Sequence, residues 1–239
     1  MQSLIEKYNA IQKSILHDFS IRWNPENSKS FKGDVKKIYG FEDEFHWNIL
    51  LNAFYVIDDT ELAKESYQKY DLQGPSRVIE IGEFYLRLYG ILNAIYLQCQ
   101  AIINLVEIYK LPNKKEIQNH YKNLDIIKLR NKIGSHSSNY KSDISSGIYK
   151  HDVYEISRHD LTRNKIILLR NQKDREIYEI SESIDEFNKY TQDVLSVALR
   201  KLLSKSIKNK NEYIKKLDGV DFLKDGGIII GEVQVSFSK

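Results

Sequence analysis

The longest periodic apolar stretch of the chain is SRVIEIGEFYLRLYGILNAIYLQCQAIINLVEIY, residues 76–109. Apolar side chains recur along it at steps of three and four, at Val78, Ile81, Tyr85, Leu88, Leu92, Ile95, Cys99, Ile102 and Val106. This spacing predicts one long helix. Because Phe84, Ile91 and Ala94 make further faces apolar, we expect a central bundle helix packed on several sides rather than a coiled coil.

Helical spacing continues on both sides of this stretch. The predicted helices span residues 4–19, about 43–70, 76–109 and about 113–133, and a polar loop is expected at 24–33. Pro112 ends the central helix, and Asn113 is the expected N-cap of the helix that follows it. Residues 1–145 are therefore predicted to form an antiparallel α-helical bundle.

The pattern changes after this bundle. Residues 137–147 are rich in Ser, Asn, Asp and Gly, which predicts a loop. Short β-branched runs at 153–156, 165–169 and 176–180 predict two or three antiparallel strands. Helical spacing returns over about 183–216, and Gly226-Gly227 precedes one terminal strand. We expect residues 146–239 to pack on the same bundle as a β-hairpin element, a long basic helix and a strand. The expected fold class is mainly α.

Composition limits the kinds of site that the chain can build. The lone cysteine, Cys99, can form neither a disulfide framework nor a zinc site, and it lies in an apolar stretch where a small buried residue is expected. Polar residues interrupt both the N-terminal segment and the stretch 91–109, so we expect neither secretion nor a membrane span. The expected location is a reducing cytoplasm.

Charge is distributed unevenly, although the net charge is only +3. Residues 41–71 are strongly acidic, whereas 200–216 and 122–175 are enriched in Lys and Arg. Polyanion binding is therefore expected in the later half of the chain.

The segment LRNKIGSH, residues 129–136, combines the groups that RNA cleavage without a metal requires. Arg130 offers a planar guanidinium matched to a phosphate, Asn131 can orient an oxygen, and His136 titrates near neutral pH. RNA carries its own nucleophile, the 2′-hydroxyl, so the protein needs only to transfer protons and stabilise charge. These three residues are the candidate catalytic groups.

Spacing along an ideal helix would separate Arg130 from His136 by about 120° and about 9 Å. Gly134 lies between them and favours a left-handed turn that ends a helix. We therefore expect the helix to end at about Ile133, with His136 folding back toward Arg130. Two such sites that face each other in a dimer would supply one histidine as base and the other as acid.

Arg130-Asn131 followed by His136 resembles the motif of the HEPN superfamily (higher eukaryotes and prokaryotes nucleotide-binding), and the likeness covers roughly residues 41–145. The resemblance implies a metal-independent endoribonuclease on a helical bundle, usually a homodimer, with RNA as substrate and no cofactor. It also implies a role in toxin–antitoxin or anti-phage defence systems, with an antitoxin or another protein as partner. Some members bind without cleaving.

Other residues are weaker candidates for RNA contact, through charge or stacking. They are Lys132, Tyr140, Lys205, Lys208 and Lys215. His151 and His159 lie near acidic residues but without a fixed ligand spacing, so no metal site is expected.

Two readings from other classes remain open: a non-catalytic helical module that binds nucleic acid or protein, and a purely structural dimer. In these readings Arg130 pairs with Asp125 or caps its own helix, Asn131 is an ordinary helix residue, and His136 is a solvated loop residue.

Overall fold

A computed structural model of the chain describes residues 2–24, 26, 30–76, 78, 80–134, 140–145, 148–205, 207, 209–230 and 233–235. Its helices are α1 (Leu4–Arg22), α2 (Phe31–Tyr39), α3 (Phe45–Tyr70), α4 (Ile81–Ile108), α5 (Lys114–Asn123), α6 (Asp125–Gly134), α7 (Ile180–Leu203) and α8 (Lys210–Lys224). Its strands are β1 (Tyr140–Ser145), β2 (Ile148–Asp152), β3 (Tyr154–Ile156), β4 (Lys165–Arg170), β5 (Asp174–Glu179), β6 (Ile228–Ile230) and β7 (Val233–Val235).

The predicted fold class is confirmed, because the described chain is mainly helical and carries a small antiparallel sheet after α6. That sheet has the order β3-β4-β5, and Ile167 in its central strand lies opposite Ile177. The three strands correspond to the three β-branched runs of the sequence. Two separate hairpins, β1-β2 and β6-β7, complete the strand content of the described residues.

The chain divides into two compact units, and each is built from segments that are distant in sequence. The first unit comprises residues 1–61, 98–117 and 189–239. The second unit comprises residues 62–97 and 118–188, and it contains the sheet β3-β4-β5 and helix α6. The expected division near residue 145 stays a prediction.

Helix α4 is the apolar helix that the periodicity predicts. Leu88, Ile95 and Ile102 are fully buried, and Ala94 and Ala101 are buried on a neighbouring face. The helix begins at Ile81 rather than at Ser76. The reason is local, because the Ser76 hydroxyl accepts a hydrogen bond from the Val78 N–H at 3.1 Å and offers the backbone a turn instead of a helix.

Length and composition would allow α4 to cross a membrane. Its most apolar 18-residue window has a mean hydropathy of 1.4, and 56% of that window is buried in the protein. A core helix of a folded protein meets the same criteria.

Helix α2 was not expected, because its first turn falls in the predicted loop at 24–33. Ser30 provides the N-cap, and its hydroxyl accepts a hydrogen bond from the Gly33 N–H at 3.0 Å. The Phe31 ring packs edge-on against the Trp47 ring, with centroids 5.1 Å apart. Gly40 ends the helix in the left-handed conformation with φ of 68°. Aromatic packing across the loop therefore stabilises a helix of only nine residues.

The single helix predicted over about 113–133 is wrong, because the structure divides it at Leu124 into α5 and α6. The Leu124 N–H donates to the Tyr121 carbonyl at 3.2 Å, which tightens the last turn of α5. The Leu124 carbonyl then accepts from the N–H groups of Ile127 and Lys128, and this starts α6. The buried Leu124 side chain keeps the apolar spacing unbroken, so periodicity alone did not reveal the break.

The predicted loop at 137–147 is wrong for residues 140–145, which form β1. This strand pairs antiparallel with β2, and Tyr140 lies opposite Asp152. A register irregularity lies between Asp143 and Ser145. Pairing with a neighbouring strand satisfies the backbone of a polar segment whose composition suggested a turn.

The long helix predicted over 183–216 is also wrong, since α7 ends at Leu203 and α8 begins at Lys210. Asn209, at the start of α8, has a left-handed φ of 58°, which a continuous helix cannot contain. The predicted single terminal strand is instead the hairpin β6-β7, with Ile229 opposite Gln234.

Candidate functional site

Helix α6 places Arg130, Asn131 and Lys132 at successive positions in the second unit. Its four buried residues, Ile126, Ile127, Leu129 and Ile133, anchor the helix and fix its rotation. At 100° per residue, Arg130 falls within the sector that these buried residues occupy, and Asn131 and Lys132 lie on either side of it. All three candidate residues are partly buried. A helix that is anchored in this way holds its polar side chains in defined directions.

Arg130 lies against an aromatic ring. Its guanidinium carbon is 3.9 Å from the centroid of Tyr96, which lies on α4. The guanidinium also donates a hydrogen bond to the Asn131 side-chain oxygen, with an Nη1–Oδ1 distance of 3.2 Å. The carboxylate of Asp125 pairs instead with Lys128 at 3.4 Å. No carboxylate within the described residues forms an ion pair with Arg130, so its charge is not neutralised there.

Lys132 has a different environment from Arg130, although it is only two residues away. Its ammonium group pairs with the Glu176 carboxylate at 2.5 Å and donates to the Tyr178 hydroxyl at 2.9 Å. The ammonium also lies 4.7 Å from the Tyr154 ring centroid. Only 12% of the Lys132 side chain is exposed. Of the weaker RNA-contact candidates, Lys132 is thus engaged in an ion pair that ties α6 to β5.

The acidic partner of Lys132 is held in its ionised form. Burial opposes ionisation of Glu176, but hydrogen bonds from Lys132 and Tyr178 hold the pKa of its carboxyl below the usual value. Burial, together with the Glu176 carboxylate, raises the pKa of Tyr154 to about 12. Burial and the hydrogen bond to Glu176 also raise the pKa of Tyr178, so both tyrosines remain neutral hydrogen-bonding groups at neutral pH.

His136 lies outside the described residues, as do its neighbours 135–139. Helix α6 ends at Gly134, close to the end expected at Ile133. The next described residue after Gly134 is Tyr140, the first residue of β1. The expectation that His136 folds back toward Arg130 stays a prediction.

The C-terminal basic residues are only partly available for a polyanion. The Lys205 ammonium donates to the Tyr39 carbonyl, and burial lowers the pKa of Lys205. Lys215 is exposed on α8, and Lys208 lies outside the described residues. Lys216 pairs with Glu212 at 2.8 Å. Lys205 and Lys216 are therefore less available to a polyanion, whereas Lys215 is exposed to solvent.

The acidic neighbours of the histidines at 151 and 159 have other partners. Asp152 accepts a hydrogen bond from the Asn171 side chain at 2.7 Å, and Asp160 pairs with Arg175 at 2.8 Å. In the part of the chain that the structure describes, no three His, Cys, Asp or Glu side chains are grouped to hold a metal ion.

The sequence did not predict two features of the site: the Tyr96 ring beneath Arg130 and the Glu176 partner of Lys132. Tyr96 is 34 positions before Arg130, and Glu176 is 44 positions after Lys132. No local sequence pattern connects either partner to α6, because each lies tens of positions from the residue that it contacts.

Comparison with known proteins adds no further assignment to these residues. No family model, curated protein or solved structure matches the chain.

Proposed function

We propose that the chain is a metal-independent endoribonuclease of the HEPN type, in which Arg130 binds the scissile phosphate and His136 transfers protons. The observation that carries the proposal is the Arg130 guanidinium, which is half-buried on an anchored helix and stacked on Tyr96 at 3.9 Å. Its charge has no carboxylate partner in the described part of the chain. A positioned guanidinium of this kind suits an anionic phosphate.

The proposed reaction is transfer of the phosphoryl group within the RNA strand. A general base takes the proton of the 2′-hydroxyl, and the 2′-oxygen attacks the neighbouring phosphorus. Arg130 stabilises the negative charge on the non-bridging oxygens, with its guanidinium held by Asn131. The bond from phosphorus to the 5′-oxygen then breaks, and a general acid protonates that oxygen. The products are a 2′,3′-cyclic phosphate and a free 5′-hydroxyl.

His136 is the proposed proton-transfer group. One histidine can act as base and His136 of a second copy can act as acid, so the proposed enzyme is a homodimer. We also propose that the enzyme acts in the cytoplasm on cellular or phage RNA. An antitoxin or another protein would control its activity.

The test is cleavage of a mixed RNA pool in the presence of EDTA. We expect the wild type to cleave the RNA. The cleavage rate should fall about 10²–10⁴-fold in His136→Ala and about 10²–10³-fold in Arg130→Ala. Lys128→Ala is the matched control, because Lys128 lies on the same helix and pairs with Asp125. It should cut like the wild type, and circular dichroism should show that all four proteins are equally helical.

Two outcomes would overturn the proposal. RNA that is bound but left intact by the wild type would favour the non-catalytic binding module. Cleavage that EDTA abolishes would contradict the metal-independent mechanism.

A further inference from the structure

The outer face of α4 in the second unit carries a row of tyrosines that the proposed chemistry does not use. Tyr85, Tyr89 and Tyr96 lie at positions i, i+4 and i+11 of the helix. At 100° per residue they fall within about 40° of one another, and at 1.5 Å per residue they span about 17 Å. We call these three residues the tyrosine row. Their spacing places them along one edge of the helix.

Two rings of the row stack on each other, and one of them is well exposed. The Tyr85 and Tyr89 rings are stacked, with centroids 6.0 Å apart and planes 29° from parallel. Tyr89 is 42% exposed, although an aromatic side chain of its size is usually more deeply buried. The exposed Asn93 lies between Tyr89 and Tyr96 on the same face. The row therefore offers aromatic surface with hydrogen-bonding groups beside it.

Charge along this face suits an anionic ligand. No acidic residue occurs between Glu83 and Glu107. At the end of the row, the Arg130 guanidinium lies over the Tyr96 ring. The aromatic surface thus leads without any opposing negative charge on α4 to the cation that we propose for the phosphate.

We propose that the tyrosine row binds single-stranded RNA by stacking with its bases, while Arg130 meets a phosphate at one end. This inference rests on the proposed function, because it names the form of RNA that the same site takes. Tyrosine rings stack on bases of any identity. Bases in a duplex are covered by their neighbours, so a stacking surface selects unpaired strands. Tyr89 is a binding residue in this arrangement and takes no part in the chemistry.

A protein partner is the competing occupant of this face. Leu86 and Leu97 are 67% and 44% exposed beside the row, and exposed apolar residues of this kind also suit a protein interface. The tyrosine row and the lack of acidic residues between Glu83 and Glu107 favour RNA over a protein. A protein interface built on the two leucines would require neither feature.

The test measures binding of a fluorescent single-stranded oligonucleotide with 2′-O-methyl groups, which cannot be cleaved through its 2′-oxygen. We expect Tyr89→Ala to weaken binding between about 5-fold and 150-fold, the range for loss of one stacked base. Tyr89→Phe should bind within about 3-fold of the wild type, because the ring is kept. The matched control is Tyr55→Ala, which removes a tyrosine that is 65% exposed on α3. The same strand in a duplex should bind more weakly than when single.

Binding of the 2′-O-methyl strand does not depend on cleavage. The experiment can therefore contradict the stacking surface without contradicting the nuclease proposal, and the reverse. Selective loss of binding in Tyr89→Ala, with or without any RNA cleavage by the wild type, supports the stacking surface. Equal binding by Tyr89→Ala and Tyr55→Ala overturns it. It is also overturned if light scattering shows that Tyr89→Ala abolishes self-association while RNA binding is unchanged, which would assign this face to a second copy.

Discussion

Two neighbouring cations on α6 illustrate how a side chain's partner sets its role. Arg130 and Lys132 are two residues apart, which rotates them by about 200° around the helix. Arg130 meets the flat face of Tyr96, whereas Lys132 meets the carboxylate of Glu176. A cation stacked on a neutral ring leaves a local net positive charge that can attract an anionic ligand, whereas a cation paired with a carboxylate forms a pair with no net charge. Arg130 therefore suits binding, and Lys132 suits the attachment of the helix to the sheet.

We expect Lys132→Met to destabilise the protein by about 1–3 kcal/mol, because it leaves the Glu176 carboxylate partly buried without its cation. The free energy of unfolding, measured with urea, checks this. Lys128→Met is the control, since its pair with Asp125 is more exposed and should contribute less than about 1 kcal/mol. Equal losses in the two variants would contradict a structural role for Lys132.

At the scale of the helices, one carboxylate joins three elements of the first unit. Asp221 on α8 accepts from the Tyr8 hydroxyl of α1 at 2.6 Å and from the Ser196 hydroxyl of α7 at 3.0 Å. It also accepts from Arg200 on α7. Burial opposes ionisation, but these three hydrogen bonds hold the pKa of the Asp221 carboxyl below its usual value. Folding therefore favours the ionised carboxyl.

The lowered pKa gives stability a defined dependence on pH. The contribution of Asp221 is fully present above the usual carboxyl pKa of about 3.9 and is lost as the pH falls through the lower folded value. We expect Asp221→Asn to cost about 1–3 kcal/mol at pH 7. Because acid removes the same contribution from the wild type, the two proteins should approach each other in stability below about pH 4.

Urea unfolding at a series of pH values tests this expectation. Asp218→Asn is the matched control, because Asp218 also pairs with Arg200, at 2.9 Å, but is 55% exposed. Its loss should be small and nearly independent of pH. An Asp221→Asn deficit that is the same at pH 3 and pH 7 would show that the carboxylate charge is not the source of the stability.

Helices and strands with strong periodicity could be predicted from the sequence, and short or interrupted ones could not. Helix α4 and the sheet β3-β4-β5 follow from spacings of three and four or from β-branched runs. Helix α2 depends on the Phe31–Trp47 contact, and the break at Leu124 preserves the apolar spacing, so neither leaves a local signal. Strand β1 depends on its pairing with β2.

At the scale of the whole molecule, the candidate site uses residues from one compact unit. Tyr85, Tyr96 and Arg130 come from two segments, 62–97 and 118–188, that together form the second unit.

Cys99 is 3% exposed, which confirms the expectation that it is a small buried residue. Burial raises the pKa of its thiol to about 12. At neutral pH this thiol is therefore protonated and unreactive.

We expect the protein to be a homodimer, because the proposed reaction uses one histidine as base and another as acid. Sedimentation equilibrium should then give a mass twice the 28.1 kDa of one chain. A mass of a single chain at every concentration, together with full cleavage activity, would contradict the assignment of the two proton transfers to two copies of His136.

The order of residues along the chain was enough to establish the mainly α class, the apolar helix α4 and the motif Arg130-Asn131 with His136. Local spacing sets which side chains share one face of a helix, and this information is contained in a few turns. Tertiary folding decided what those faces meet: Tyr96 beneath Arg130, and Glu176 beside Lys132. Those partners lie tens of residues away, so their positions depend on how the elements pack and leave no periodic trace in the sequence.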